Sequence, residues 1–465
     1  MATSSRQPTR ARLEELHCVH PHAAGLDIGS EEIVVAVPPD RDPRPVRAFR
    51  TFTPDLNALV AWLVSCRIDT VAMESTGVYW VPLYEALERQ GITPYLVNAG
   101  HVKTVPGRKT DWNDAQWLQK LHMLGLLQAS FRPDADMCVL RTLLRHRAQL
   151  IEHRAPHIAH MQQALTQMNL RLSVVLTDIM GTTGQAIIRA IVAGERDPVV
   201  LARLRHPRCT SPEETIAKAL TGRWQAEHLF ILQQALELFD SYTAKIQLCD
   251  AEIERQFSVL KPRFESDEPA SALPPAKPNS KSKNAPTFNA RAEVARISGV
   301  DLVAVTGIAA STAQTILSEI GTDMSRFPSV KHFCSWLGLA PHNDISGGKV
   351  LRRRTLKVSS RANQAFRAAA QSVARSDSTF GAFFRSMRAR LGPQQAIVAT
   401  AHKIARVVYH LLKYREAFNP ESAEAYTCKR REREVKLLTR RAQKLGYTLT
   451  PANSASAVST PSPPD

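Results

Sequence analysis

The stretch GRKTDWNDAQWLQKL sets Asp111 and Asp114 directly after the basic pair Arg108 and Lys109. Acids at i and i+3 share one face of a helix start, where like charges repel unless a cation lies between them. Two further acids have the same chemistry: Asp27 lies mid-strand in GLDIG, and Glu74 closes the strand VAMES. An acid inside an apolar strand is costly when it is buried without a partner. Hard carboxylate oxygens suit Mg²⁺ or Mn²⁺. Two such ions about 3.5–4 Å apart can activate one oxygen of an in-line phosphoryl transfer and stabilise the other. Taken singly, Asp111 reads as a helix N-cap and Glu74 as a surface acid at a strand end; together the four favour a metal site.

A second chemistry sits near the other end of the chain, in WLGLAPHNDISGGKVLRRRTLKVSSRAN. Ser346 stands before Gly347 and Gly348 in what reads as a polar loop, just upstream of Lys349, Arg352, Arg353, Arg354 and Lys357. A serine among guanidinium groups can attack a phosphodiester, because those cations lower the cost of the developing negative charge. The ordinary meaning of Ser-Gly-Gly is a turn. Ser359 and Ser360 lie close by and compete for the same role. Histidines offer weaker candidates. The group His17, Cys18, His20 and His22 has ligand types but sits on a terminal arm, and His153, His157 and His160 share a helical face with no carboxylate at ligand spacing.

Short apolar strands alternate with helical periods from His22 to about Leu127, which is the pattern of an α/β layer domain. AAGLDIGS, EEIVVAVPP and VRAFRTF read as a three-stranded meander; TPDLNALVAWLVSC follows as a helix opening on a Thr cap. DTVAME, the helix VYWVPLYEALERQG and the strand ITPYLVN complete an order βββαβαβ, with a further helix after it. That order suggests that the first and fourth strands are central neighbours, so Asp27 and Glu74 emerge side by side and the last helix start can bring its two aspartates to the same point.

The chain of 465 residues is long enough for two or three domains. We expect a terminal arm over 1–21, the α/β domain over 22–130, a helical and coiled-coil region over 131–260, a flexible linker over 261–290, a mostly helical domain over 291–418, and a basic helix with a disordered tail over 419–465. A heptad seam runs through Leu229, Leu232, Leu236, Phe239, Thr243, Ile246, Asp250, Ile253, Phe257 and Leu260, pairing within the chain or between protomers. Pro156 is expected to kink the long helical run before it. The stretch VTGIAASTAQTILSEIG, with Gly307 before a helix and Gly321 after it, is similar to a helix-hairpin-helix element or is a plain helical hairpin.

A formal net charge of +17, from 60 Lys and Arg against 43 Asp and Glu, favours a polyanionic partner, with nucleic acid foremost. The seven cysteines show no CxxC and no paired spacing, so neither a disulfide framework nor a zinc ribbon is expected and a reducing cytoplasm fits. No apolar run of membrane-spanning length occurs, so no membrane partner is expected.

On these blocks the chain resembles the DEDD transposases of bacterial insertion sequences, family one-ten, which are bridge-RNA-guided recombinases. The likeness is carried by GLDIGSEEIVVAV, by the long block MESTGVYWVPLYEALERQGITPYLVNAGHVKTVPGRKTDWNDAQWLQKL, by VTGIAASTAQTILSEIG and by FCSWLGLAPHNDISGGKVLRRR. The resemblance implies an N-terminal RNase H-like (RuvC-like) domain whose acidic tetrad is Asp27, Glu74, Asp111 and Asp114 with Mg²⁺ or Mn²⁺. It implies a coiled-coil middle and a helical C-terminal transposase domain with Ser346 as nucleophile. It also implies donor and target DNA, a noncoding bridge RNA that pairs with both, a covalent phosphoserine intermediate, and a homo-oligomer (dimer or tetramer) whose protomers share a composite site. Two other readings stay open: a resolvase-like metal nuclease in which water attacks, and a non-catalytic nucleic-acid-binding scaffold.

Overall fold

The computed structural model describes residues 17–75, 77–98, 114–262, 283–356, 358, 360–420 and 423–449. Two compact units divide the chain after Arg132. Asp111, Arg108, Lys109, Lys357 and Ser359 lie outside the described residues.

The first unit is built on strands β1 (Ala23–Ile28), β2 (Glu32–Ala36), β3 (Val46–Arg50), β4 (Thr70–Glu74) and β5 (Thr93–Val97) in the order β3-β2-β1-β4-β5. The first three form an antiparallel meander; β4 joins β1 in parallel, and β5 joins β4 in parallel. A parallel strand needs a crossover, and α1 (Thr53–Ser65) and α2 (Trp80–Arg89) supply them. Thr53, expected as the cap of α1, is instead its first helical residue: Phe52 holds the cap position without a side-chain bond, and Pro54 supplies a preset φ in the first turn.

Side-chain alternation divides the sheet into two faces. Ala24, Leu26 and Ile28 of β1 and Val71 and Met73 of β4 bury themselves against Leu56, Leu59 and Leu63 of α1 and Leu83 and Leu87 of α2. The opposite face carries Ala72 into a second cluster with Trp117, Leu118 and Leu121 of α3 (Asp114–Met123). With both faces covered, the central strands read as nearly continuous apolar runs. Asp27 and Glu74 interrupt those runs where the strands end.

In the second unit, α4 (Ala135–Gln167) and α9 (Ala226–Val259) pack along most of their length. Between them the short helices α5 (Leu172–Val175), α6 (Thr182–Val192), α7 (Pro198–Ala202) and α8 (Glu213–Ala219) close one end. Cys249 against the Leu143 carbonyl, Thr243 against Arg154 and Tyr242 stacked on His157 show that α4 and α9 run antiparallel. The expected seam is buried within this one chain at Leu232, Leu236, Phe239, Ile246, Asp250, Ile253 and Phe257. Asp250, 1% exposed, is paired with the buried Arg147 guanidinium, and Thr243 accepts from Arg154 at 3.1 Å, so both polar seam residues fix the register. The α4 helix continues through Pro156.

The end of the expected linker is not free chain. Asn284 accepts hydrogen bonds from Arg147 and Arg154, and the Thr287 amide donates to Asp250 at 3.3 Å, while Phe288 lies 6.1 Å from the Phe257 ring. Polar ties to a buried ion pair do here what the segment's few apolar residues cannot.

Beyond it come α10 (Ala290–Ser298), α11 (Ala310–Ile320), α12 (Val330–Trp336), a hairpin of β6 (Pro341–Ser346) and β7 (Lys349–Thr355), then α13 (Arg361–Ser372), α14 (Thr379–Leu391), α15 (Pro393–Tyr414) and α16 (Ala423–Lys444). Phe333, Phe366 and Tyr409 centre the core, with the Tyr409 hydroxyl donating to the Phe327 carbonyl at 3.0 Å. Gly307 precedes α11 because space is missing: a Cβ there would lie 2.5 Å from Val373 Cγ1 and 2.7 Å from the Ala369 carbonyl. Its glycine is explained by close packing on α13.

Candidate active site

The parallel register pairs Leu26 with Met73, so Asp27 and Glu74 take the next positions on neighbouring strands, about 4.8 Å apart along the hydrogen-bonding direction. Both are half-buried, on the face that α3 covers. Behind them the chain narrows to admit that helix. A Cβ on Gly25 would lie 2.2 Å from both the Ala115 carbonyl and the Gln119 amide, so only glycine permits the helix to sit against β1.

The direction of α3 follows from three contacts. His122, near its C-terminal end, bonds Thr70 Oγ1 at 2.8 Å where β4 begins; Gln119 Nε2 donates to the Ala23 carbonyl at 3.3 Å where β1 begins; Ala115 lies over Gly25. The helix therefore runs against the strands, and its first residue, half-buried Asp114, comes to the strand ends that carry Asp27 and Glu74. Three of the four predicted acids thus come from three elements to one edge of the sheet; the fourth, Asp111, precedes α3 outside the described residues.

Their oxygen chemistry fits a hard divalent cation. Among the described residues, however, no group of three or more His, Cys, Asp or Glu side chains is close enough together to hold one. The elements bring the acids to one edge without closing a three-ligand cluster.

Neighbouring groups brace the edge. The Ser75 amide donates to the Val97 carbonyl at 2.9 Å, fixing the chain just past Glu74. Arg132, 9% exposed, bonds Glu88 at 3.1 Å and lies 4.3 Å over the Tyr84 ring, holding α2. His122 is buried at the foot of α3, with His20 and Tyr95 rings 4.9 and 4.6 Å away, and burial pushes its pKa down to about 4. Of the terminal group, His22 bonds Arg41, and His20 packs in this aromatic contact.

Ser346 is the last residue of β6, not part of an irregular loop. Gly347 and Gly348 form a two-residue turn with φ of 54° and 76°, both in the left-handed region that mirror-image hairpin turns require. The register sets Ser346 opposite Lys349, Asp344 opposite Arg352 and Asn343 opposite Arg353, with a bulge between Asp344 and Ile345. Ser346, Lys349, Arg352 and Arg354 are exposed, and Arg354 reaches Asp344 at 3.5 Å. The Ser360 hydroxyl is engaged elsewhere, capping α13 by accepting from the Asn363 amide.

Sequence reasoning missed Gly25, Gln119 and His122. A glycine inside a strand is the signal that could have flagged the close approach of a backbone.

Two family models match the chain. One, described as a transposase of the DEDD type in the IS110 group, covers residues 24–170; the other, described as the transposase IS116/IS110/IS902 family, covers residues 301–385. No curated protein matches it. Both matches define a transposase, a class that cuts and rejoins DNA. The chain belongs to the IS110 family of transposases. Among the described residues no helix is long and apolar enough to cross a membrane.

Proposed function

We propose that the first unit is an RNase H-like catalytic domain in which Asp27, Glu74, Asp111 and Asp114 hold divalent metal, Mg²⁺ or Mn²⁺, for DNA strand transfer. The observation that supports it is the meeting of Asp27, Glu74 and the start of α3 at one sheet edge, inside the segment matched by the DEDD transposase model. Bound there, the metal supplies charge neutralisation at a phosphodiester and activation of the attacking oxygen. The chain's own part is placement: the β1–β4 register sets Asp27 and Glu74 on neighbouring strands, and Gly25 lets α3 bring Asp114 to the same edge.

In the same reaction Ser346 is the nucleophile. Its Oγ bonds phosphorus while the bond from phosphorus to one deoxyribose oxygen breaks, and the hydroxyl proton passes to solvent or to the leaving oxygen. A strand hydroxyl then attacks the phosphoserine, the new phosphodiester forms, and Ser346 Oγ leaves. No bond energy is lost to hydrolysis. Lys349, Arg352, Arg353, Arg354 and Lys357 stand in sequence to meet the phosphate charge, and Arg108 and Lys109 do so beside the acids. The target is chosen by base pairing to a noncoding bridge RNA, and the active form is a homo-oligomer.

The test is a DNA strand-cleavage reaction run with Mg²⁺ and the cognate RNA, resolved on a denaturing gel. The wild type gives a protein–DNA adduct, Ser346→Ala gives none, and Asp27→Asn gives none although it still binds DNA. Cleavage to free ends, unchanged in Ser346→Ala, would overturn the nucleophile.

A further inference from the structure

The β6–β7 hairpin is exposed almost throughout, and it holds apolar side chains in water: Leu351 is 71% exposed, Ile345 62% and Val350 41%. Two strands alone make a marginal structure in water. Large apolar side chains gathered on such a ribbon mark a contact surface. The surrounding charge selects the partner. Lys349, Arg352 and Arg354 are exposed on the same two strands, so a second copy of this hairpin would meet like charge, whereas duplex DNA meets its complement. A two-stranded ribbon also has the width to enter a DNA groove.

The register shows which apolar residue lies near the chemistry. Ser346 is opposite Lys349 and Ile345 opposite Val350, while Leu351, the next residue along β7, is the extra residue of the bulge: it has no partner on β6, and a bulge re-aims the side chain it carries. The turn end of the hairpin therefore presents a hydroxyl, an ammonium and an isobutyl group, all exposed, within a few residues of one another. The positive φ at Gly347 and Gly348 holds the turn tight, and neither glycine has an atom within 4 Å of the place its Cβ would occupy, so the tip is open to a partner.

We propose that Leu351 is a DNA wedge: it inserts between base pairs beside the phosphodiester presented to Ser346, while Lys349 contacts the adjoining phosphate. Apolar wedges of this kind unstack one step and kink the duplex. Unstacking frees the bases at that step from their neighbours and turns the backbone outward, towards the serine. Leu351 is thus a positioning residue. Its place beside the reacting phosphate rests on the reading of Ser346 as nucleophile, but the wedge itself is measured without cleavage.

The experiment uses the full-length protein and duplexes of repeated TA steps, which unstack most readily, with some adenines replaced by 2-aminopurine, whose fluorescence rises when stacking is lost. At low salt, wild type and Ser346→Ala both raise the fluorescence severalfold. Leu351→Ser binds within about tenfold of wild type, since phosphate contacts carry most of the affinity, yet leaves the signal at that of free DNA; Leu351→Met restores it. A full fluorescence rise with Leu351→Ser would overturn the wedge, as would a flat signal with wild type at saturation. Loss of self-association by Leu351→Ser in sedimentation, with fluorescence unchanged, would assign the hairpin to a protein partner instead. An adduct that persists in Ser346→Ala would remove the nucleophile while leaving the wedge standing.

Discussion

Gly25→Ala is the substitution whose effect is most directly worked from the structure. The added methyl carbon would lie 2.2 Å from the Ala115 carbonyl and the Gln119 amide, and ordinary contact begins near 3.4 Å. Both neighbours are backbone of α3, so no side chain can swing aside; the helix must retreat by roughly 1 Å, the shortfall in contact distance. Overpacking of this kind costs about 1–3 kcal/mol. The displacement matters more than the cost, because Asp114 rides on the first turn of α3 while Asp27 and Glu74 stay on the sheet. A shift of about 1 Å in catalytic geometry lowers a rate by about 10²-fold. Urea denaturation should therefore show a folded protein weakened by about 1–3 kcal/mol, and single-turnover strand cleavage a far larger loss. Wild-type cleavage by Gly25→Ala would refute the claim that α3 must press on β1 for the acids to work.

Three further outcomes follow from named contacts. Truncating one partner of the buried Arg147–Asp250 pair, as in Arg147→Ala, leaves the other charge buried and should lower stability by about 3–5 kcal/mol in denaturant melts; the same change should expose residues 283–289 to protease, since Asn284 and Thr287 bind to this pair. His122 binds its proton less well folded, at about 4, than unfolded, near 6.5. The unfolded chain therefore gains the proton first as pH falls, and stability present above pH 6.5 is lost progressively towards pH 4, by at most about 3 kcal/mol; His122→Gln should flatten that slope in thermal melts. Asp27→Asn or Glu74→Gln should abolish cleavage while leaving the melting temperature within a few degrees of wild type, because both groups are only half-buried at the strand ends.

Much of the first unit was legible because its signals are local. Alternating apolar runs of strand length, broken by amphipathic helices, gave the element order, and the crossover through α1 put β4 beside β1. The convergence of Asp27 and Glu74 followed from that adjacency. What sequence periodicity could not carry was the approach of α3, which depends on one missing methyl group at Gly25 and on polar contacts of Gln119 and His122. The β6–β7 hairpin was hidden for a different reason. Gly347–Gly348 between extended runs is a hairpin signal, but the run Arg352, Arg353, Arg354 reads as a charge cluster and masks the alternation. Residues 283–289 were read as flexible from composition, and composition is blind to a backbone carbonyl and amide docking on a buried ion pair.

The central claim is that the four acids gather at one metal site, and metal-directed backbone cleavage tests it most directly. With Fe²⁺ in place of Mg²⁺, and ascorbate and peroxide added, hydroxyl radicals cut the polypeptide next to the bound ion. Peptide cuts should cluster at residues 27, 74 and 111–114, be suppressed by excess Mg²⁺ and be lost in Asp27→Asn. Cuts confined to other segments, or unaffected by Asp27→Asn and Mg²⁺, would contradict a shared metal site.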